Sequence, residues 1–303
     1  MTVIVQLRGG LGNQLFQYAA GFALSSRRGT ELLLDTALLP TSTVDRGGVR
    51  RWPEQISSFA HAGTLFDSTG GSPIRKRIAQ SLRGRERALG DSQMRRLLGG
   101  HIYARETRED VDAFDRLPER ARINAYCNSW RYFADETSAV SQQVAAVVAP
   151  GSWFAAVAAE IDAAQPIALH VRWADYLNLA QVYGTIGAEY YHRAIARVTS
   201  TLGERPVWLF SDDPQGALRM LRSTTDVDYV VEAPLDSSPL ENLLLLSRAA
   251  GIVGANSSFS WWAAFLSHSP AGAIVFPRPL FAATGPLEPK DWLLAEWMQL
   301  GRD

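Results

Sequence analysis

Four turns in this 303-residue sequence gather side chains suited to a negatively charged leaving group. The run His170-Val171-Arg172-Trp173-Ala174-Asp175-Tyr176 leaves a strongly apolar stretch and at once presents a guanidinium, an aromatic ring and a carboxylate. An arginine there can hold phosphate oxygens through two parallel hydrogen bonds, as a departing diphosphate requires, or it can pair with a nearby acid. His170 and Arg172 share one side of an extended segment, because strand side chains alternate. The run Asn256-Ser257-Ser258-Phe259-Ser260-Trp261-Trp262 offers hydroxyls and, where a helix begins, unpaired N–H groups. Together they would form a neutral phosphate cradle able to replace a metal in charge stabilisation. Adjacent tryptophans cannot point to the same side of a helix, so one of Trp261 and Trp262 is expected in the core.

The third turn is Ser211-Asp212-Asp213-Pro214. Its carboxylate pair could ligate a divalent cation. The plainer expectation is that Asp213 caps a helix opening at Pro214, leaving Asp212 free to accept hydrogen bonds from a base or ribose. The fourth is Arg8-Gly9-Gly10-Leu11-Gly12-Asn13-Gln14, where glycines permit close backbone approach and the next helix turns its positive end to an anion. Gly12 and Asn13 either meet a ligand or form a tight turn capping that helix. A dinucleotide fingerprint would place a third glycine where Leu15 stands, although Asp35 mimics its ribose-binding acid.

These turns need a sheet to carry them. Residues 2–7 read as a buried strand, 14–28 as a helix and 31–35 as a second strand, the unit from which open parallel sheets are built. Residues 45–148 look irregular and helix-rich, and 150–165 read as a helix closing the first half. Regular alternation follows, with strands at 166–172, 207–210, 229–231, 252–255 and, last, 273–276. Helices are expected at 189–202, from 214, from 239 and at 259–266. Ser238-Pro239-Leu240-Glu241 is a capping box with proline at the first helical position. The fold expected is α/β, with two doubly wound Rossmann-type domains facing a cleft, 1–158 and 159–303.

With 47% hydrophobic and 20% charged residues, the chain has the composition of a packed globular protein. A net charge of -1 gives no global attraction to nucleic acid or anionic membrane. Arginines and Lys76 cluster between Arg75 and Arg96, where they form a solvated helix face or a weak peripheral contact with acidic lipid. The lone Cys127 excludes an internal disulfide and suits a reducing cytosol, and neither a signal peptide nor a membrane span is evident. A cytoplasmic protein is expected, placed at the inner face of the membrane if the arginine cluster binds lipid.

The glycine-rich run through Ala19, then His170-Val171-Arg172 with Asp175-Tyr176, Ser211-Asp212-Asp213, Glu241-Asn242-Leu243 and the 256–262 run resemble, in order and spacing, the bacterial α1,2-fucosyltransferases of glycosyltransferase family eleven. The resemblance extends from the first strand to about Pro277. It implies a GT-B-like fold, GDP-β-L-fucose as donor, inversion at the anomeric carbon, no metal or other cofactor, and a galactose-terminated glycan as acceptor. The activity implied is that of a galactoside 2-alpha-L-fucosyltransferase. By that likeness Arg172 grips the diphosphate, with His170 on the same strand, Ser257, Ser258 and Phe259 line the phosphates, and Asn256 and Ser260 join them as donor-binding candidates. Asp212 and Glu241 are candidates for the guanosine. Gly12 and Asn13 belong to the first turn, with Asn13 reaching the phosphate or fucose from across the cleft, and Asp175 is the candidate base. The family carries a second arginine where this chain has Trp173, so either Arg172 suffices or another arginine enters from a loop. Two rivals stand beside this reading: an NAD-dependent oxidoreductase, and a sugar-nucleotide-binding protein without turnover.

Overall fold

The computed structural model describes residues 2–40, 52–72, 74–75, 102–104, 114–117, 120–174, 184–282 and 291–302. Asp175, and all of the basic cluster except Arg75, lie outside the described residues. The chain divides into two compact units, Met1–Ala146 with Pro289–Asp291 and Val147–Glu288 with Trp292–Asp303.

The first unit contains β1 (Thr2–Gln6), α1 (Leu11–Arg28), β2 (Glu31–Asp35), β3 (Thr64–Phe66), β4 (Ile102–Ala104), β5 (Arg120–Ile123) and α2 (Thr137–Ala145). Its strands form one parallel sheet in the order β3-β2-β1-β5-β4. Val3, Val5 and Leu34 on the sheet pack with Leu15, Phe16 and Ala19 of α1 as buried core. Two expectations are corrected here. Helix α1 begins at Leu11 rather than Gln14, with extended Gly10 as its N-cap, so Gly12 and Asn13 lie inside its first turn. The Gly10 carbonyl accepts the N–H groups of Asn13 and Gln14, both at 3.0 Å, and so closes the first turn without a side-chain cap. The stretch read as irregular also supplies three strands of the sheet.

Strand β5 escapes a hydrophobicity reading because its second arginine, Arg122, is buried and pairs with Asp35, itself fully buried at the end of β2. Asp35 Oδ1 further accepts the N–H groups of Ala37 (3.1 Å) and Ser68 (3.0 Å). Its carboxylate is thus committed inside the unit, which removes the ribose-binding role suggested for it and the main support for a dinucleotide enzyme.

The second unit contains α3 (Ser152–Ala164), β6 (Ile167–Val171), α4 (Ala188–Leu202), β7 (Val207–Ser211), α5 (Pro214–Leu221), β8 (Tyr229–Val230), α6 (Pro239–Ser247), β9 (Gly251–Val253), α7 (Ser258–Leu266), β10 (Ile274–Arg278) and β11 (Met298–Gly301). All six strands are parallel, in the order β11-β10-β9-β6-β7-β8. From β6 the chain winds outward to β8, then returns beside β6 and winds the other way. This is the doubly wound order, with its switch point between β6 and β9. Every residue of β6 is buried, as expected of a central parallel strand covered on both faces.

The last strand is β11, not 273–276; it lies at the sheet edge, where only alternate residues are partly buried, so its apolar signal is weak. Trp261 and Trp262 are both fully buried, against the expectation of one. Helix α7 packs against α6 as well as the 292–297 segment, where Trp261 Nε1 donates to Trp292 O and the Trp261 ring meets Trp297 at 5.7 Å. A helix covered on several sides has no solvent face to which the second ring could turn.

Candidate active site

In an open parallel sheet, ligands collect beyond the carboxyl ends of strands at the switch point. In the second unit that point is bordered by the turn after β6 and the turn after β9, which carry two of the four chemically loaded runs. Arg172 follows β6 directly, and Ser257 is the N-cap of α7, its hydroxyl accepting Phe259 N–H at 3.2 Å.

The two turns are tied together by His170. Its Nδ1 lies 2.6 Å from Ser260 Oγ, and its ring stacks on Phe259 with centroids 5.3 Å apart and planes 24° from parallel. Ser260 Oγ also accepts Ala255 N–H at 3.1 Å. Giving the serine proton to Nδ1 then leaves the proton of the neutral imidazole on Nε2. Burial first, and the neighbouring Arg172 second, lower the pKa of His170 to about 4, while Asp212 opposes them. The ring is therefore neutral at pH 7, and beside the start of α7 it acts as a spacer and hydrogen-bonding group rather than a cation.

A stability prediction follows from the sign of that shift. Between pH 6.5 and about 4 the unfolded chain protonates this histidine and the folded chain does not, so stability present above pH 6.5 is lost as pH falls through that window. The loss is on the order of 3 kcal/mol. Denaturant titrations across this range should show a shallower pH dependence for His170→Gln than for the parent, and parallel curves would contradict the assignment.

Arg172 is held by the next turn. Its Nε lies 3.3 Å from Asp212 Oδ2. Asp212 Oδ1 accepts Trp173 N–H at 2.8 Å and Ala174 N–H at 3.3 Å. Asp212 is thus the anchor of the 172–174 turn, with Oδ2 facing Arg172 and making no hydrogen bond among the described residues. Asp213 caps α5 as expected, accepting Gly216 N–H at 2.9 Å, with Pro214 at the first helical position. The adjacent acids thus divide their work between an arginine and a helix end, which gives both carboxylates protein partners.

Trp173, which stands where a second arginine was expected, packs its ring on Gly216 in the first turn of α5. A Cβ at 216 would collide with both Trp173 and the Asp213 carboxylate. Close approach of the ring is what demands glycine here. Position 173 therefore contributes packing beside Arg172 instead of charge.

Glu241 accepts two backbone donors. Its Oε2 accepts Ser238 N–H at 2.8 Å, completing the expected capping box, and its Oε1 accepts Gly151 N–H at 2.7 Å at the start of α3. Asn256 Nδ2 donates to Leu280 O at 2.7 Å, pinning the turn that leads to Ser257. Ser258 is half-buried beside it.

In the first unit, Gly9 has φ 79°, the left-handed region that favours glycine, and the Asn13 side chain folds back against it. Two residues overlooked in the sequence shape this turn. Buried Gln17 accepts Arg8 N–H (2.9 Å) and donates to Arg8 O (3.3 Å). Buried Gln14 donates to Gly9 O and Pro53 O, both at 2.8 Å, and accepts Gln55 N–H at 2.9 Å. The available signal was two amides three residues apart on an otherwise apolar helix face, since buried polar side chains require partners.

Residues 115–300 match the family described as glycosyl transferase family 11. The chain is 24% identical over 294 residues to the O-antigen biosynthesis glycosyltransferase WbnK of Escherichia coli, covering 91% of this chain and 94% of that protein. It is 23% identical over 295 residues to an alpha-1,2-colitosyltransferase of Escherichia coli, covering 92% of each. Among solved structures it resembles a variant of Arabidopsis thaliana FUT1 in complex with GDP, with a TM-score of 0.50 and 14% identity over 94% of this chain and 71% of that one.

Proposed function

Because the chain belongs to glycosyl transferase family 11, we propose that it moves L-fucose from GDP-β-L-fucose to a hydroxyl of a galactose-terminated glycan, forming an α1,2 linkage with inversion. The fold is α/β and GT-B-like, built from two parallel doubly wound sheets. The observation that carries the proposal is the pairing of Arg172 with the Ser257-capped start of α7 across the β6–β9 switch point, joined by the His170–Ser260 contact.

In the proposed reaction the acceptor oxygen bonds to the anomeric carbon as the bond from that carbon to the diphosphate oxygen breaks. The electron pair leaves with GDP, and the acceptor proton passes to a carboxylate, for which Asp175 is our candidate. Positive charge grows on the sugar and negative charge on the departing phosphate, so fixed donors at the phosphate favour the transition state over the ground state. Arg172 supplies two N–H donors and a full charge, while the first turn of α7 supplies backbone N–H groups and the positive end of its dipole. Ser257, Ser258, Phe259 and Ser260 line that approach. We assign acceptor binding to the first unit, with Gly12 and Asn13 on the sugar side.

Both Asp212 and Asp213 are engaged by protein groups, and the counter-charge is provided by an arginine and a helix start. A chelator is therefore expected to leave transfer unchanged; strong inhibition would return the two acids to consideration as metal ligands. Among the described residues no helix is long and apolar enough to cross a membrane. We place the protein in the cytoplasm, with any lipid contact confined to the arginine-rich stretch.

The deciding experiment incubates the protein with GDP-fucose and a panel of galactosides, following GDP release and the linkage formed. A colitosyl donor belongs in the panel because of the relative that bears that name. Protection from melting by GDP and not by NAD is expected. The reverse would restore the oxidoreductase, and GDP binding without release from GDP-fucose would indicate a binding protein.

A further inference from the structure

We infer that the carboxyl edge of the first unit's sheet carries a carbohydrate platform formed by Tyr126, Asn124 and Arg8, which binds a terminal pyranose of the acceptor glycan. Naming that sugar as the acceptor rests on the transferase reading; the platform itself rests on the observations that follow.

In the order β3-β2-β1-β5-β4 the chain winds from β1 through β2 to β3 on one side, while β5 lies on the other side of β1. The gap between β1 and β5 is therefore the switch point of this sheet, where an open α/β unit takes its ligand. Arg8 follows β1 and Asn124 follows β5, so both leave the sheet at that point. Arg172 and the 256–260 run, which carry the proposed phosphate contacts, lie in the second unit.

Tyr126 is 42% exposed, a large ring left in contact with water beside the switch point. It is nonetheless held in place. The Arg8 guanidinium lies over the ring, 4.5 Å from its centroid, and Arg8 Nη2 donates to Asn124 O at 2.8 Å. The Arg8 backbone is bonded at both N–H and C=O to buried Gln17. A ring braced by a cation whose own backbone is clamped loses little entropy on meeting a ligand. Trp52 lies against neighbouring Gly10 and bounds the same turn.

Asn124 supplies the polar half. The residue is only 7% exposed, and its Oδ1 is buried without a hydrogen-bond partner among the described residues. Burying such a group is costly unless a donor reaches it. Between these residues and the following helical turn, Cys127 adopts φ 50°, the left-handed region, in a non-glycine residue. Backbone strain of this kind concentrates where a loop must present particular groups.

The chemistry of the three groups selects the ligand. An amide oxygen asks for a hydrogen-bond donor, which a sugar hydroxyl supplies and a fully ionised phosphate does not. The guanidinium donates a hydrogen bond to a neighbouring hydroxyl oxygen. The aromatic ring offers an apolar face for the C–H side of a pyranose, and sugars combine these three features.

The test compares the parent, Tyr126→Ala and Tyr126→Phe. Tyr126→Ala is expected to raise KM for lactose roughly tenfold or more, the scale of losing one aromatic face. Turnover at saturating lactose and KM for GDP-fucose should stay at parent values. Tyr126→Phe, which keeps the ring, should remain within about twofold of the parent in all three quantities. An unchanged lactose KM in the alanine variant, or an equal shift in donor KM, would overturn the platform while leaving the transferase reading intact. If the parent releases no GDP from GDP-fucose, the transferase reading fails, and saturation-transfer NMR of lactose with the parent and Tyr126→Ala decides the platform separately. Signal in the parent that is lost in the alanine variant supports it, and equal or absent signals refute it.

Discussion

Arg172→Ala is expected to lower kcat/KM for GDP-fucose by at least about a hundredfold, the effect typical of removing one principal donor to a charge that develops in the transition state. The side chain is 18% exposed and its Nε is held 3.3 Å from Asp212, so its orientation is set before any ligand arrives. With Trp173 packed on Gly216, position 173 supplies no cation to share the load. Arg172→Lys should recover little, because a point charge cannot make two parallel hydrogen bonds to a phosphate. Asp212→Asn should fall between parent and Arg172→Ala: its oxygen can still accept from Trp173 and Ala174, but the charge that steers the guanidinium is gone. Steady-state kinetics on the three variants, with melting temperatures to verify folding, gives the ranking. Activity near the parent level in Arg172→Ala would remove this residue from the mechanism.

The second large effect concerns folding rather than catalysis. Asp35→Ala should destabilise the first unit by about 3–5 kcal/mol, because it leaves the Arg122 guanidinium buried without its counter-charge. It also strands the Ala37 and Ser68 N–H groups that Asp35 now satisfies. Replacing both partners together, Asp35→Leu with Arg122→Met, should cost clearly less than Asp35→Ala, since a buried pair exchanged for apolar groups of similar volume loses attraction and desolvation cost together. Urea unfolding of the single and double variants measures the difference. A loss below about 1 kcal/mol in Asp35→Ala would mean that the pair is not desolvated as described.

Legibility varied along the chain for identifiable reasons. The second unit could be read almost element by element, because its strands are short apolar runs separated by amphipathic helices with recognisable caps. Asp213 with Pro214, and Ser238 with Glu241, marked helix starts that the structure retains. The first unit could be read only at its opening. Strand β5 is half arginine, and a buried charge looks like a surface charge until its partner 87 residues away is known. Edge strand β11 carries too little apolar character to declare itself.

Local sequence determined where helices begin, which segments are central strands, and that an arginine and a serine-rich helix start follow two of them. These are short-range properties: a cap, a proline or an alternation acts over a few residues and needs no knowledge of the rest. What each polar side chain does was decided by the tertiary structure. Asp212 gained its anchoring role when the fold set it beside Arg172, Asp35 resembled a ribose ligand until β5 brought Arg122 to it, and Gln14 and Gln17 showed no role until two loops reached them. A polar group's role depends on its nearest partner, and in a parallel sheet that partner arrives from a distant part of the chain.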